Sequence, residues 1–93
     1  MIKKRNLVLV EWEDSAQPKP NWMFLSDFET PEIVKCMSVG WLVYDGEEVK
    51  ALAPNIGKYD DGDGIQGSGI ICIPSRSITR LVRLKWAKTL GSF

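Results

Sequence analysis

Ile33-Val34-Lys35-Cys36-Met37-Ser38-Val39-Gly40-Trp41-Leu42-Val43-Tyr44, followed by Asp45-Gly46-Glu47-Glu48 and then Val49-Lys50-Ala51-Leu52-Ala53, is the stretch that decides the fold. A long run rich in β-branched and aromatic residues meets Asp-Gly and returns as a shorter apolar run, which is the pattern of a β-hairpin. Within the first arm Val39, Trp41 and Val43 share one face, expected to be core, while Leu42 and Tyr44 point the other way. Gly40 beside Trp41 predicts a bend or bulge of the kind that curves a sheet.

Upstream, Leu7 to Trp12 reads as a first strand closed by Glu13-Asp14-Ser15. The prolines of Ala16-Gln17-Pro18-Lys19-Pro20-Asn21 exclude a central strand. Trp22-Met23-Phe24-Leu25 is an apolar cluster expected to cover one mouth of the core, and Ser26 to Glu32 holds at most a helical turn. Downstream, Asn55 to Gly69 is a glycine- and aspartate-rich loop, expected to be mobile. Ile70 to Ile73 is the next strand, Pro74-Ser75-Arg76-Ser77 a tight turn, and Ile78 to Leu84 the last strand. Lys85 to Phe93 is a basic end that frays unless Trp86 and Phe93 dock.

The 93 residues make one domain, 1–93, with a modest core. Hydrophobic residues are 44% and charged residues 26%, which argues against disorder. The chain has no histidine, which removes the Ser-His-Asp and Cys-His arrangements and every imidazole zinc site. No apolar run approaches the roughly 20 residues that cross a bilayer. Lys3-Lys4-Arg5 is followed by too short an apolar run for a signal peptide, so a cytoplasmic protein is expected. Cys36 and Cys72 form no CxxC and are expected to be buried thiols.

Five short strands, one long loop and little helix predict an all-β fold, a small five-stranded barrel. The order strand, Ile73-Pro74-Ser75, one turn, Ile78 and a closing strand resembles the end of SH3-like barrels, where a single 3₁₀ turn links the last two strands. Sm-like barrels share the same strand logic. The acidic, aromatic peptide groove of signalling SH3 domains has no counterpart, so proline-peptide binding does not carry over.

A second resemblance spans the chain. Val10-Glu11-Trp12-Glu13-Asp14-Ser15, Cys36-Met37-Ser38-Val39-Gly40-Trp41-Leu42-Val43, Leu52-Ala53-Pro54, and Ile73-Pro74 with Ile78 and Leu81 are similar to a family of small bacteriophage proteins of unassigned function. The Ser-Val-Gly-Trp-Leu-Val block is its specific part. The resemblance implies a phage origin and action in the cytoplasm of an infected host cell, and it supplies no catalytic residues.

Asp60-Asp61-Gly62-Asp63-Gly64 invites a calcium reading, but counting from Asp61 places Ile65, Gln66 and Cys72 at the fifth, sixth and twelfth positions, where an EF-hand needs an oxygen ligand, a glycine and a glutamate. No metal or other cofactor is expected. Gly62, Gly64, Gly67 and Gly69 lack the Gly-Lys-Ser/Thr of a phosphate loop. Charge is more informative. The twelve cations and twelve acids balance, yet residues 1–5 and 76–93 together carry +8 with no acid. Residues 6–75 set four lysines against all twelve acids, a net −8. If the first and last strands are neighbours, the two basic ends merge into one patch suited to phosphate-bearing ligands or an acidic protein.

Edge strands also carry Lys and Arg simply to block pairing. Arginine's planar fork favours the binding reading, with Arg76, Arg80 and Arg83 as ligand-binding residues. Trp12 and Trp22 are expected to stack on a ligand or touch a partner. The expected function is therefore a non-enzymatic, phage-type binding protein, forming a homo-oligomer. It would occupy a host protein or sequester a small anionic ligand, and so counter a host defence. The alternative is a nucleic-acid-binding SH3- or Sm-like barrel using its basic ends on phosphate.

Overall fold

The computed structural model describes residues 6–15, 18, 20–58 and 64–85. Its elements are β1 (Leu7–Asp14), a 3₁₀ turn η1 (Leu25–Asp27), β2 (Val34–Asp45), β3 (Val49–Ala53), β4 (Asn55–Lys58), β5 (Ile65–Ser68), β6 (Ile71–Pro74), a second 3₁₀ turn η2 (Ser75–Ser77) and β7 (Ile78–Arg83). The expected all-β class is what the chain adopts. Five strands form one antiparallel sheet in the order β6-β3-β2-β1-β7, and β4 and β5 form a separate antiparallel pair.

Among the described residues the sheet does not close into the expected barrel. β6 and β7 lie at opposite edges of the five-stranded sheet, joined only through η2. The two flanks of the expected loop are strands, and its middle, residues 59–63, lies outside the described residues. Asn55 to Lys58 pairs with Ile65 to Ser68, with Ile56 opposite Gly67 and Lys58 opposite Ile65. Gly69, with φ of +70°, reverses the chain into β6, a conformation that glycine adopts without strain.

Asp45-Gly46 forms the β2–β3 turn as expected. The Gly46 amide donates to the Val49 carbonyl at 3.0 Å, and Lys50 forms an ion pair with Asp45. The bulge falls between Leu42 and Tyr44 rather than at Gly40. Gly40 serves another purpose. A Cβ there would sit 3.0 Å from the Ala53 carbonyl oxygen, so glycine lets β2 and the end of β3 approach closely.

Register fixes the two faces of the sheet. Val8 and Val10 of β1 lie on one face with Leu42 of β2, Leu52 of β3, Ile71 and Ile73 of β6 and Leu81 of β7. Val8, Val10, Leu52 and Ile73 are fully buried there, and Trp12, Leu42, Ile71, Ile78 and Leu81 pack around them. That is a small core for a chain of this length.

The opposite face contradicts the expected core assignment. Val39 and Val43 are each about half exposed, and Trp41 is only partly buried. The cause is register: Val39 and Trp41 pair with Leu9 and Leu7, on the side of β1 away from Val8 and Val10. Trp22 to Leu25 does not cover the core either. Every residue from 20 to 35 is exposed, because the segment leaves the sheet at Asp14 and returns at Val34 without folding over it. The thiols differ from expectation as well: Cys36 is half-buried and Cys72 is exposed, both free. Cys72 lies on β6 on the side away from Ile71 and Ile73.

Candidate functional site

The basic stretch sits on η2 and β7. Pro74 ends β6, and the Ser75 amide donates to the Glu48 carbonyl at 2.9 Å while its hydroxyl donates to the Gly46 carbonyl at 3.0 Å. These two bonds tie η2 to the β2–β3 turn and hold Arg76 outward. Arg76 lines a shallow recess of about 520 Å³ together with Glu47, Glu48, Val49 and Pro74. Two carboxylates therefore share its surroundings.

β7 then runs antiparallel to β1, so the neighbourhood of first and last strands assumed from the sequence holds. The Thr79 hydroxyl donates to the Glu11 carbonyl at 3.1 Å beside a register shift at Glu11 and Trp12. Arg80 lies opposite Glu11, and the two side chains form an ion pair at 3.7 Å. Arg83 lies opposite Val8. Glu11 and Val8 are three residues apart on one strand, so Arg80 and Arg83 emerge on opposite faces of β7. Arg76, Arg80, Arg83 and Lys85 are all exposed. The other half of the expected patch, Lys3, Lys4 and Arg5, lies outside the described residues, as do Asp60 to Asp63, Trp86 and Phe93.

The two expected tryptophan contacts stand in different settings. Trp12 is partly buried at the edge of the core, and its indole N–H donates to the Ser38 hydroxyl at 3.0 Å across the β1–β2 pair. Its outer margin helps line a hollow of about 380 Å³ with Glu11, Glu13, Lys35 and Met37. Trp22 is fully exposed, on the excursion between β1 and β2. The fold thus brings the three arginines onto one continuous margin, sets Trp12 next to Arg80 through Glu11, and keeps Trp22 apart.

Two features escaped the sequence reading. The first is the arm, residues 20–33, where Phe24 and Leu25 are about four-fifths exposed or more. Its limbs enclose a concavity of about 840 Å³ lined by Met23, Leu25 and Phe28, with Asp27, Glu29 and Glu32 on its walls. The second is the outer face of β1, β2 and β7, where Met37 and Val39 are exposed while Leu7, Leu9, Trp41 and Val82 are partly buried. Its register rows are Trp41–Leu7, Val39–Leu9–Val82 and Met37–Glu11–Arg80. The signal was present in Leu7-Val8-Leu9-Val10, an unbroken apolar run that belongs to a strand covered on both faces.

Among the described residues no group of three or more Cys, Asp or Glu is placed to hold a metal ion, and no helix is long and apolar enough to cross a membrane. No protein-family model matches the chain, and no curated protein or solved structure matches it.

Proposed function

We propose that this chain is a non-enzymatic, phage-type binding protein that acts in the host cytoplasm by engaging an anionic group, either on a small ligand it sequesters or on a host protein it occupies, as an antagonist of host defence. The observation that carries the reading is the margin formed by η2 and β7. Residues 64–93 contain five cations and no acid, and the four described cations are all exposed on the turn, the open edge strand and the residues just after it. An edge strand adds unpaired backbone N–H groups to the guanidinium forks, and both donate to phosphate or carboxylate oxygens.

Arg76, Arg80 and Arg83 are the principal binding residues in this reading, all exposed on that margin. An SH3-like ancestry is supported by the strand order β6-β3-β2-β1-β7 and by the 3₁₀ turn between the last two strands. In this reading the sheet is an opened relative of that barrel.

The test is a fluorescence titration with three probes, pyrophosphate, a nucleoside triphosphate and a single-stranded oligonucleotide, at low and physiological salt. Wild type is expected to bind at least one small anion, and Arg76→Glu with Arg83→Glu to lose binding with an unchanged circular dichroism spectrum. Retained affinity in the double variant overturns the reading. Binding of the oligonucleotide alone, falling steeply with salt, points to the nucleic-acid alternative.

A further inference from the structure

The exposed arm and the outer sheet face are two apolar surfaces of one chain; on the face Met37 and Val39 are exposed, and Leu7, Leu9, Trp41 and Val82 are partly buried. Trp22, Phe24, Leu25, Phe28 and Met23 are 102%, 79%, 87%, 50% and 45% exposed. At about 200 Å² for a large side chain, they leave about 700 Å² of mostly apolar surface in water on one short segment. Monomers rarely expose contiguous patches beyond about 300–600 Å².

We infer that the arm of one copy docks on the outer β1–β2–β7 face of a second copy, and reciprocally, in a two-fold dimer. Each receiving face offers Leu7, Leu9, Val39, Trp41, Val82 and Met37 in adjoining register rows, bordered by the Arg80–Glu11 ion pair and by Lys35 opposite Glu13. The arm offers an apolar cup whose walls carry Asp27, Glu29 and Glu32. Apolar surface meets apolar surface.

Area agrees with the pairing. The two arms alone remove about 1,400 Å² from water, within the roughly 1,200–2,000 Å² of ordinary stable interfaces. The arm's own face is not its receptor. Pro18 and Pro20 on the outgoing limb and Pro31 on the returning limb stiffen the stem. The arm also leaves the sheet at the Asp14–Val34 end, five residues from the Leu9–Val39 row, or about 16 Å along the strand. A reciprocal contact of this kind is isologous and closes at two copies. It also covers the second face that the apolar run 7–10 calls for.

The experiment is native mass spectrometry and light scattering at about 50 µM on the full chain and two variants. Phe24→Asp with Leu25→Ser disables the arm, and Met37→Glu with Val39→Glu disables the face; all four positions are exposed, so the core is untouched. Wild type is expected to be a dimer. Each variant alone is expected to be a monomer, with the dissociation constant raised about 30-fold or more, as loss of a central anchor implies. An equimolar mixture of the two is expected to form a heterodimer, because one intact arm then meets one intact face. A monomeric wild type overturns the inference. So does an arm variant that stays dimeric, which would mean face-to-face packing, or a mixture that stays monomeric.

Discussion

Leu52→Ala and Val39→Ser test whether the two sides of the sheet differ as described. Leu52 is almost fully buried, on the face with Val8, Val10 and Ile73, and lies opposite Leu42 and Ile71 in register. Truncation removes its methyl groups and leaves a cavity, a loss of about 2–5 kcal/mol. Domains of this length are stable by about 5–14 kcal/mol, and four fully buried large side chains place this one toward the lower end. Leu52→Ala therefore removes about half the stability and lowers Tm by about 12–25 °C. Val39 is half exposed on the other face, and its change to serine shifts the monomer by less than about 0.5 kcal/mol. Both substitutions belong in the arm-disabled background, so that self-association adds nothing to either value. Thermal unfolding followed by tryptophan fluorescence reads the difference. Equal destabilisation by the two changes would refute the assignment of faces.

Other outcomes follow from single positions. Gly40→Ala drives a methyl against the Ala53 carbonyl and is expected to cost about 1–3 kcal/mol, read as a lower urea midpoint with unchanged slope. Ser38→Ala leaves the Trp12 indole N–H without its acceptor, a loss of about 1–3 kcal/mol, whereas Trp12→Phe with Ser38→Ala recovers part of it; a double-mutant cycle measures the coupling. Arg80→Ala breaks an exposed ion pair with Glu11 and changes stability by no more than about 1 kcal/mol, so any large loss of anion affinity in that variant is a binding effect. Cys72 is expected to react with a thiol reagent several-fold faster than Cys36 in the folded protein, and both at one rate in denaturant.

Strand positions were legible because they depend on local chemistry. Asp45-Gly46 announces its own turn, Pro74 stops β6, and the Leu7–Val10 and Ile78–Leu84 runs carry the propensities of strands. Face assignment was not legible for β2, because Met37, Val39 and Trp41 alternate as well with the core as with an outer interface. Only the register with β1 decides, and it places Leu9, not Val10, beside Val39. The arm was misread for a related reason. Trp22-Met23-Phe24-Leu25 plainly needs a cover, but a single sequence does not say whether its own chain supplies it. Closure failed at the edges because pairing between β6 and β7 is a long-range property that the 3₁₀ turn permits without requiring.

The charge argument fared differently from residue to residue. Adjacency of β1 and β7 was a condition of the merged patch, drawn from the SH3-like resemblance, and it holds. That Arg80 and Arg83 emerge on opposite faces follows from their odd spacing once both lie on one strand, and the count of charges alone hides it. Glu47 and Glu48 beside Arg76 are brought there by the β2–β3 turn, which no linear charge profile shows.

The most direct test of the binding account is a native mass spectrum of the protein purified gently from the host that expresses it. The account predicts a dimer near twice 10.5 kDa carrying a discrete excess mass, unchanged by nuclease and absent from the Arg76→Glu, Arg83→Glu variant. A bare species with no excess mass, or an excess that survives both charge reversals, would contradict it.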